Sequence, residues 1–155
     1  MRSGSGIVAS HSLLTRGHLM TIERAKRELR PLKDMTRNIR SIEDEIERLE
    51  TLATKMTPNY ESSPVSGTPK NKMEEAVVKL EHYRSRLSRA VIDTLDYRQM
   101  CRDKIDQIEP RTLQTILNYY YVQDNTMEKT AELIGKSYQW TYELYKTALE
   151  KYAEI

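Results

Sequence analysis

Between Leu32 and Met56 the apolar residues recur in steps of 3, 4, 3, 4, 3, 4 and 3: Leu32, Met35, Ile39, Ile42, Ile46, Leu49, Ala53, Met56. Charged residues fill the intervals. A strand would need alternation in twos, so this spacing specifies an α-helix with a narrow apolar seam. Such a seam is stable only when buried against another helix. The helical pattern starts upstream, and the first element is expected over about Thr21–Met56. Thr21 can cap it, and Glu23 and Glu28 suit its early turns. Pro31 predicts a kink or break near Arg30, because proline has no N–H to donate to the preceding turn.

Composition points the same way. Of 155 residues, 38% are hydrophobic and 31% charged, with 5 Gly, 5 Pro, no Phe and one Trp. A sandwich or barrel needs more turns and more aromatic strands. The chain is therefore expected to be all-α. No stretch approaches the ~20 apolar residues of a membrane span. The single cysteine, Cys101, excludes an intramolecular disulfide and a multi-cysteine zinc site. It fits a reducing cytoplasm. Net charge is +2, and residues 110–155 carry 5 basic and 6 acidic side chains. No segment has the electrostatic footprint of a strongly basic nucleic-acid binder. Any nucleic-acid reading must rest on shape and motif.

Three regions are expected. Residues 1–19 hold two basic and no acidic groups, and two of the three histidines. With Met20 read as the natural start, they form an added leader or a disordered arm. Residues 20–109 form a helical hairpin or a coiled coil, interrupted by a proline-rich linker at 57–71. Its second helix, about Lys72–Gln107, has a less regular stripe: Met73, Val77, Leu80, Leu87, Val91, Leu95, Cys101, Ile105, Ile108. The heptad residues Leu32, Met35, Ile39, Ile42, Ile46 and Leu49 are the candidates for helix packing or homo-oligomerisation.

Residues 110–155 form the third region. Glu109-Pro110 closes the long helix or bends it, and three shorter helices follow, over about Arg111–Val122, Met127–Ile134 and Tyr138–Tyr152. Thr126 and Ser137 are the expected caps, and Gly135 the left-handed residue closing the middle helix. The run MEKTAELIGKSYQWTYELYK has the layout of a helix-turn-helix. Ala131 is small enough for a close helix crossing, and Gly135 sits where the turn needs positive φ. In that arrangement the last helix can enter a DNA major groove with its N-terminal residues reaching base edges. The candidate contacts are Lys136, Ser137, Tyr138, Gln139, Tyr142 and Lys146. Gln139 can pair bidentately with adenine, and the lysines suit phosphates. Thr130 and Thr141 stand where larger aliphatics are common in such a motif.

From Met20 onward the chain resembles the small regulators of Gram-positive phages and prophages whose end is similar to region 4 of sigma-70 factors, the ArpU-like or late-transcription-regulator-like group. The matching runs are ERAKRELRPL with the heptad helix, LATKMTPNYESSPVSG, and RTLQTILNYYYVQDNTMEKTAELIGKSYQWTYELYKTALEKY. The chain keeps Gly135, Ser137, Tyr142 and Ala148-Leu149, and has Thr130-Ala131 where the group has Ile-Ala. The resemblance implies a helix-turn-helix of sigma region-4 type, double-stranded promoter DNA as partner, and control of phage late or packaging genes.

Other residues point to ordinary packing. Tyr119, Tyr120 and Tyr121 project about 100° apart on a helix and cannot form one stacking platform; Tyr120 is expected in the core. Trp140 is expected to anchor packing, and Cys101 to be a small buried hydrophobe. His82 has no convincing ligand spacing around it, and Glu43, Asp44, Glu45 and Glu47 read as a solvated face. No catalytic constellation, phosphate-cradling loop, metal site or cofactor site is found. A second hypothesis stands beside the regulator: a helical module that contacts host RNA polymerase or another protein, with little direct DNA binding.

Overall fold

The computed structural model describes residues 7–55 and 69–155, with side chains from 21–54 and 73–155. The expected leader at 1–19 lies partly, and the linker at 57–71 largely, outside the described residues. All described elements are helical. They are α1 (Ile7–Lys55), α2 (Pro69–Ile105), α3 (Arg111–Leu117), α4 (Met127–Ile134) and α5 (Tyr138–Glu154). A π-helical turn, Asn118–Val122, extends α3. Among the described residues, no helix is long and apolar enough to cross a membrane.

Two expectations about α1 are corrected. Its helical backbone reaches back to Ile7, so Thr21 lies inside the helix and not at its start. Pro31 also lies inside it, so of the kink or break expected near Arg30 the break does not occur. Proline removes one backbone donor there, but Leu29 and Leu32 on either side are fully buried. Packing thus holds the helix through the missing bond.

The chain divides into two compact units. One comprises residues 1–34 with 96–155, the other residues 35–95. The first has a continuous core. Ile22, Ala25, Leu29 and Leu32 of α1 meet Cys101 and Ile105 of α2, then Ile108, then Leu113, Ile116 and Leu117 of α3. Ala148, Leu149 and Tyr152 of α5 complete it. The C-terminal helices therefore close their core with the first part of α1 and the last part of α2. A boundary at residue 109 would cut through this core.

The heptad residues are split between the units. Leu32 belongs to the first core, whereas Ile42 and Leu49 are buried in the second unit, with Met35, Ile39 and Ile46 half-buried. The register explains this. Ile22, Ala25, Leu29 and Leu32 already step by 3, 4 and 3, and Leu32 to Met35 adds a second consecutive step of 3. The seam changes phase there, where the units divide.

In the second unit α1 and α2 run antiparallel, tied by an ion pair from Arg84 to Glu50 at 2.9 Å. The seam is incompletely filled. A groove of about 380 Å³ is lined by Met35, Asn38, Ile42, His82, Ser85 and Arg86 among others. Several residues of the expected α2 stripe face outward. Met73, Val77 and Leu95 are exposed, while Thr94 is buried and donates its hydroxyl to the Ala90 carbonyl at 2.6 Å.

Candidate functional site

The candidate contacts lie on α4, the turn after it and α5. Thr126 caps α4, its hydroxyl accepting from the Lys129 N–H, and Ser137 caps α5, accepting from the Trp140 N–H. Between them Gly135 adopts φ +70°. The Gly135 N–H donates to the Glu132 carbonyl and the Lys136 N–H to the Ala131 carbonyl, both at 3.0 Å. This pair of bonds is the Schellman closure, which satisfies the last carbonyls of α4 and turns the chain sharply into α5.

Thr141, Tyr145, Ala148, Leu149 and Tyr152 form the inward face of α5. Thr130 and Thr141 are both fully buried. Each stands four residues after its helix cap and donates its hydroxyl to that cap's carbonyl, at 2.8 Å for Thr130 and 3.0 Å for Thr141. The hydroxyl is thereby satisfied within the helix and the methyl is left for the core.

The tyrosines differ from expectation. Tyr121, not Tyr120, is the core residue, 4% exposed, with its hydroxyl 2.7 Å from that of buried Tyr145. The cause is the π turn: its i→i+5 bonding places more residues in the turn and shifts the phase after Leu117, so Tyr121 and Val122 follow into the core. Tyr120 packs at the edge, with the Lys33 ammonium 3.8 Å from its ring centre. That ammonium also donates to the Asn125 carbonyl at 2.8 Å and lies 3.5 Å from the Asp124 carboxylate. Asp124 has φ +54°, a conformation Asp tolerates better than most residues. A lysine on α1 therefore pins the turn that leads into α4. No local pattern around Lys33 announces this, because its partner is 92 positions away.

Outward, Lys136, Ser137, Tyr138, Gln139 and Tyr142 are all exposed, while Lys146 is half-buried. The Tyr138 and Tyr142 rings are parallel within 5°, with centroids 6.1 Å apart. Trp140 is a correction. It is 40% exposed and carries the Lys136 ammonium 5.4 Å from its ring, so it does not anchor the core. Leu133 is also exposed. Trp140 lies off the stripe Thr141–Tyr145–Ala148–Tyr152, a signal already present in the spacing.

The lysines here are not all free to meet an anion. Lys146 pairs with Glu143 at 2.6 Å, and Lys129 with Glu132 at 3.0 Å. The hydrogen bond it donates to the Glu143 carboxylate also holds the Lys146 ammonium above its ordinary pKa. Among the described residues, no group of three or more His, Cys, Asp or Glu side chains comes together to hold a metal ion. The surface can therefore offer base-edge hydrogen bonds from Gln139, aromatic contact from Tyr138, Trp140 and Tyr142, and modest positive charge from Lys136. No family model, curated protein or solved structure matches the chain.

Proposed function

We propose that the first unit is a sequence-reading DNA-binding module, with α4 and α5 as a helix-turn-helix of sigma region-4 type and α5 as its recognition helix. The observation that carries this reading is the division of α5 into two faces. Thr141, Tyr145, Ala148, Leu149 and Tyr152 seal one side into the core, and Tyr138, Gln139 and Tyr142 stand open at the N-terminal turns. Those turns are the part that reaches base edges when a helix of this kind enters a major groove. On this reading Gln139 recognises a base and Lys136 serves a phosphate. The biological role that follows is transcriptional control of phage late or packaging genes in a bacterial host.

Selection of bound duplexes from a random pool, followed by shift assays, tests this. Gln139→Ala with Tyr138→Ala should weaken the selected site by roughly 10-fold or more, at about 1–3 kcal/mol per bidentate contact, and leave helicity unchanged. Lys136→Glu should weaken all sequences alike and flatten the salt dependence. Equal affinity of the double variant and the parent would remove α5 as the reader.

A second reading is favoured by a different observation. Leu133, Tyr138, Trp140 and Tyr142 are all exposed, and two of the nearby lysines are engaged by glutamates. Aromatic side chains around little net charge also suit a protein partner such as host RNA polymerase. Failure of the chain to retain any duplex DNA at ~50 mM salt would select this reading, because non-specific DNA affinity is electrostatic.

A further inference from the structure

A helix with its side chains is about as wide as a DNA major groove, ~12 Å, so whatever packs on the flank of an inserted helix meets the phosphates that border the groove. In the first unit a line of aromatic rings joins one flank of α5 to α1. The Lys33 ammonium of α1 sits 3.8 Å from the ring centre of Tyr120. Tyr120 lies 5.1 Å from Tyr145, Tyr145 6.0 Å from Tyr142, and Tyr142 6.1 Å from Tyr138 at the start of α5.

Lys26, Arg30 and Lys33 follow one another at steps of four and three, so they share the edge of α1 from which that line begins. Two of these cations are committed. Lys26 pairs with Glu23 at 2.8 Å, and Lys33 holds the turn at Asp124 and Asn125. Arg30 is exposed and makes no hydrogen bond or ion pair among the described residues. It stands near the buried hydroxyl pair of Tyr121 and Tyr145. Burial raises the pKa of both phenols; the Arg30 charge opposes the rise at Tyr121, and Glu23 adds to it at Tyr145.

The charge balance of the unit points to the same edge. Residues 110–155 carry 5 basic and 6 acidic side chains, too few cations to hold a duplex, whereas residues 21–34 carry five basic and three acidic. We propose that Arg30 of α1 is a phosphate contact of the interface that α5 forms with DNA, an assignment that rests on the DNA reading of α5. While Gln139 reads a base, the Arg30 guanidinium grips a backbone phosphate at the border of the groove. Its planar fork of donors suits the phosphate oxygens. The contact carries no sequence information; it adds affinity and fixes how α5 sits in the groove.

Salt titrations of the full-length chain test it, with the duplex selected from a random pool and a scrambled duplex of equal length as probes. Arg30→Gln should weaken both duplexes by the same factor and make the slope of log affinity against log salt shallower by about one. Arg30→Lys keeps the charge and should keep the parental slope. Arg24→Gln is the control. Arg24 is also exposed and loses the same charge, but it lies six positions earlier, about a third of a turn round α1. It should leave the slope unchanged. Equal slopes for Arg30→Gln and the parent, or for Arg30→Gln and Arg24→Gln, overturn the contact. If Gln139→Ala still costs the selected duplex its advantage in that case, α5 remains the reader and only the role of α1 falls. A parent that retains neither duplex at ~50 mM salt overturns both readings together.

Discussion

Thr130 and Thr141 show how a polar residue earns a place in this core. Each hydroxyl is satisfied by the carbonyl four residues earlier, which also accepts the backbone N–H of the same threonine, at 2.9 Å and 3.0 Å. Removing the hydroxyl therefore orphans nothing. Thr141→Val should change stability by less than about 1 kcal/mol, because the shape is kept and the carbonyl keeps its backbone donor. Thr141→Ala should cost about 1 kcal/mol or more, because it removes a buried methyl as well. Denaturant midpoints of the two variants separate the outcomes; equal losses would mean that the hydroxyl itself is the stabilising group. Lys33 is the opposite case. Its side chain and that of Asp124 are 12% and 5% exposed. Lys33→Met keeps the aliphatic stem but leaves the Asp124 carboxylate and Asn125 carbonyl without this donor. The cost should be about 2–3 kcal/mol, read from the same midpoints.

The elements of the C-terminal region were legible because their punctuation is local. Thr126, Gly135 and Ser137 each act on groups within five residues, and their positions bound α4 and start α5 as expected. The misplaced residues answer to forces that are not local. Tyr120 was exchanged for Tyr121 by a π turn that shifts the phase. Pro31 was overruled by burial of Leu29 and Leu32. Met73, Val77 and Leu95 belonged to the apolar stripe of α2, but packing against α1 uses an adjacent face. The candidate contacts were read from the turn and the spacing, whereas exposed Trp140 was misjudged by residue type. At Gly135 the elements make a clean test. A Cβ built there meets nothing within 4 Å, so only the φ of +70° opposes a side chain. Gly135→Ala should destabilise the first unit by about 1 kcal/mol, and Gly135→Asn by less, since Asn tolerates this region. Thermal melts that rank Ala no worse than Asn would show that the turn relaxes.

For the molecule as a whole, the buried phenols of the first unit set an alkaline limit. Burial pushes the Tyr145 hydroxyl up from its ordinary value of 10 to about 12. Burial likewise raises Tyr121, with Tyr145 adding to it, and Tyr152, with Cys101 and Glu28 adding to it. A phenol whose folded pKa lies above its unfolded one leaves stability unaffected below about pH 10. Stability is then lost as pH rises from 10 through 12, because the unfolded chain releases its proton first. Tyr145 alone should remove roughly 2 kcal/mol by the top of that window. The first unit should therefore unfold over this range, with tyrosinate absorbance rising in step with loss of helical signal. Cys101 provides an independent reading, since it is the only cysteine, lies in the same core and should become alkylated only as that core opens. Tyr121→Phe with Tyr145→Phe gives up one buried hydrogen bond of 2.7 Å. It should lower stability at neutral pH yet flatten the loss between pH 10 and 12. Tyr138→Phe, on the exposed surface, should leave that slope unchanged. If all the tyrosines of the parent titrate together near pH 10 while the helical signal holds, the buried Tyr121–Tyr145 contact is not what limits the fold at high pH.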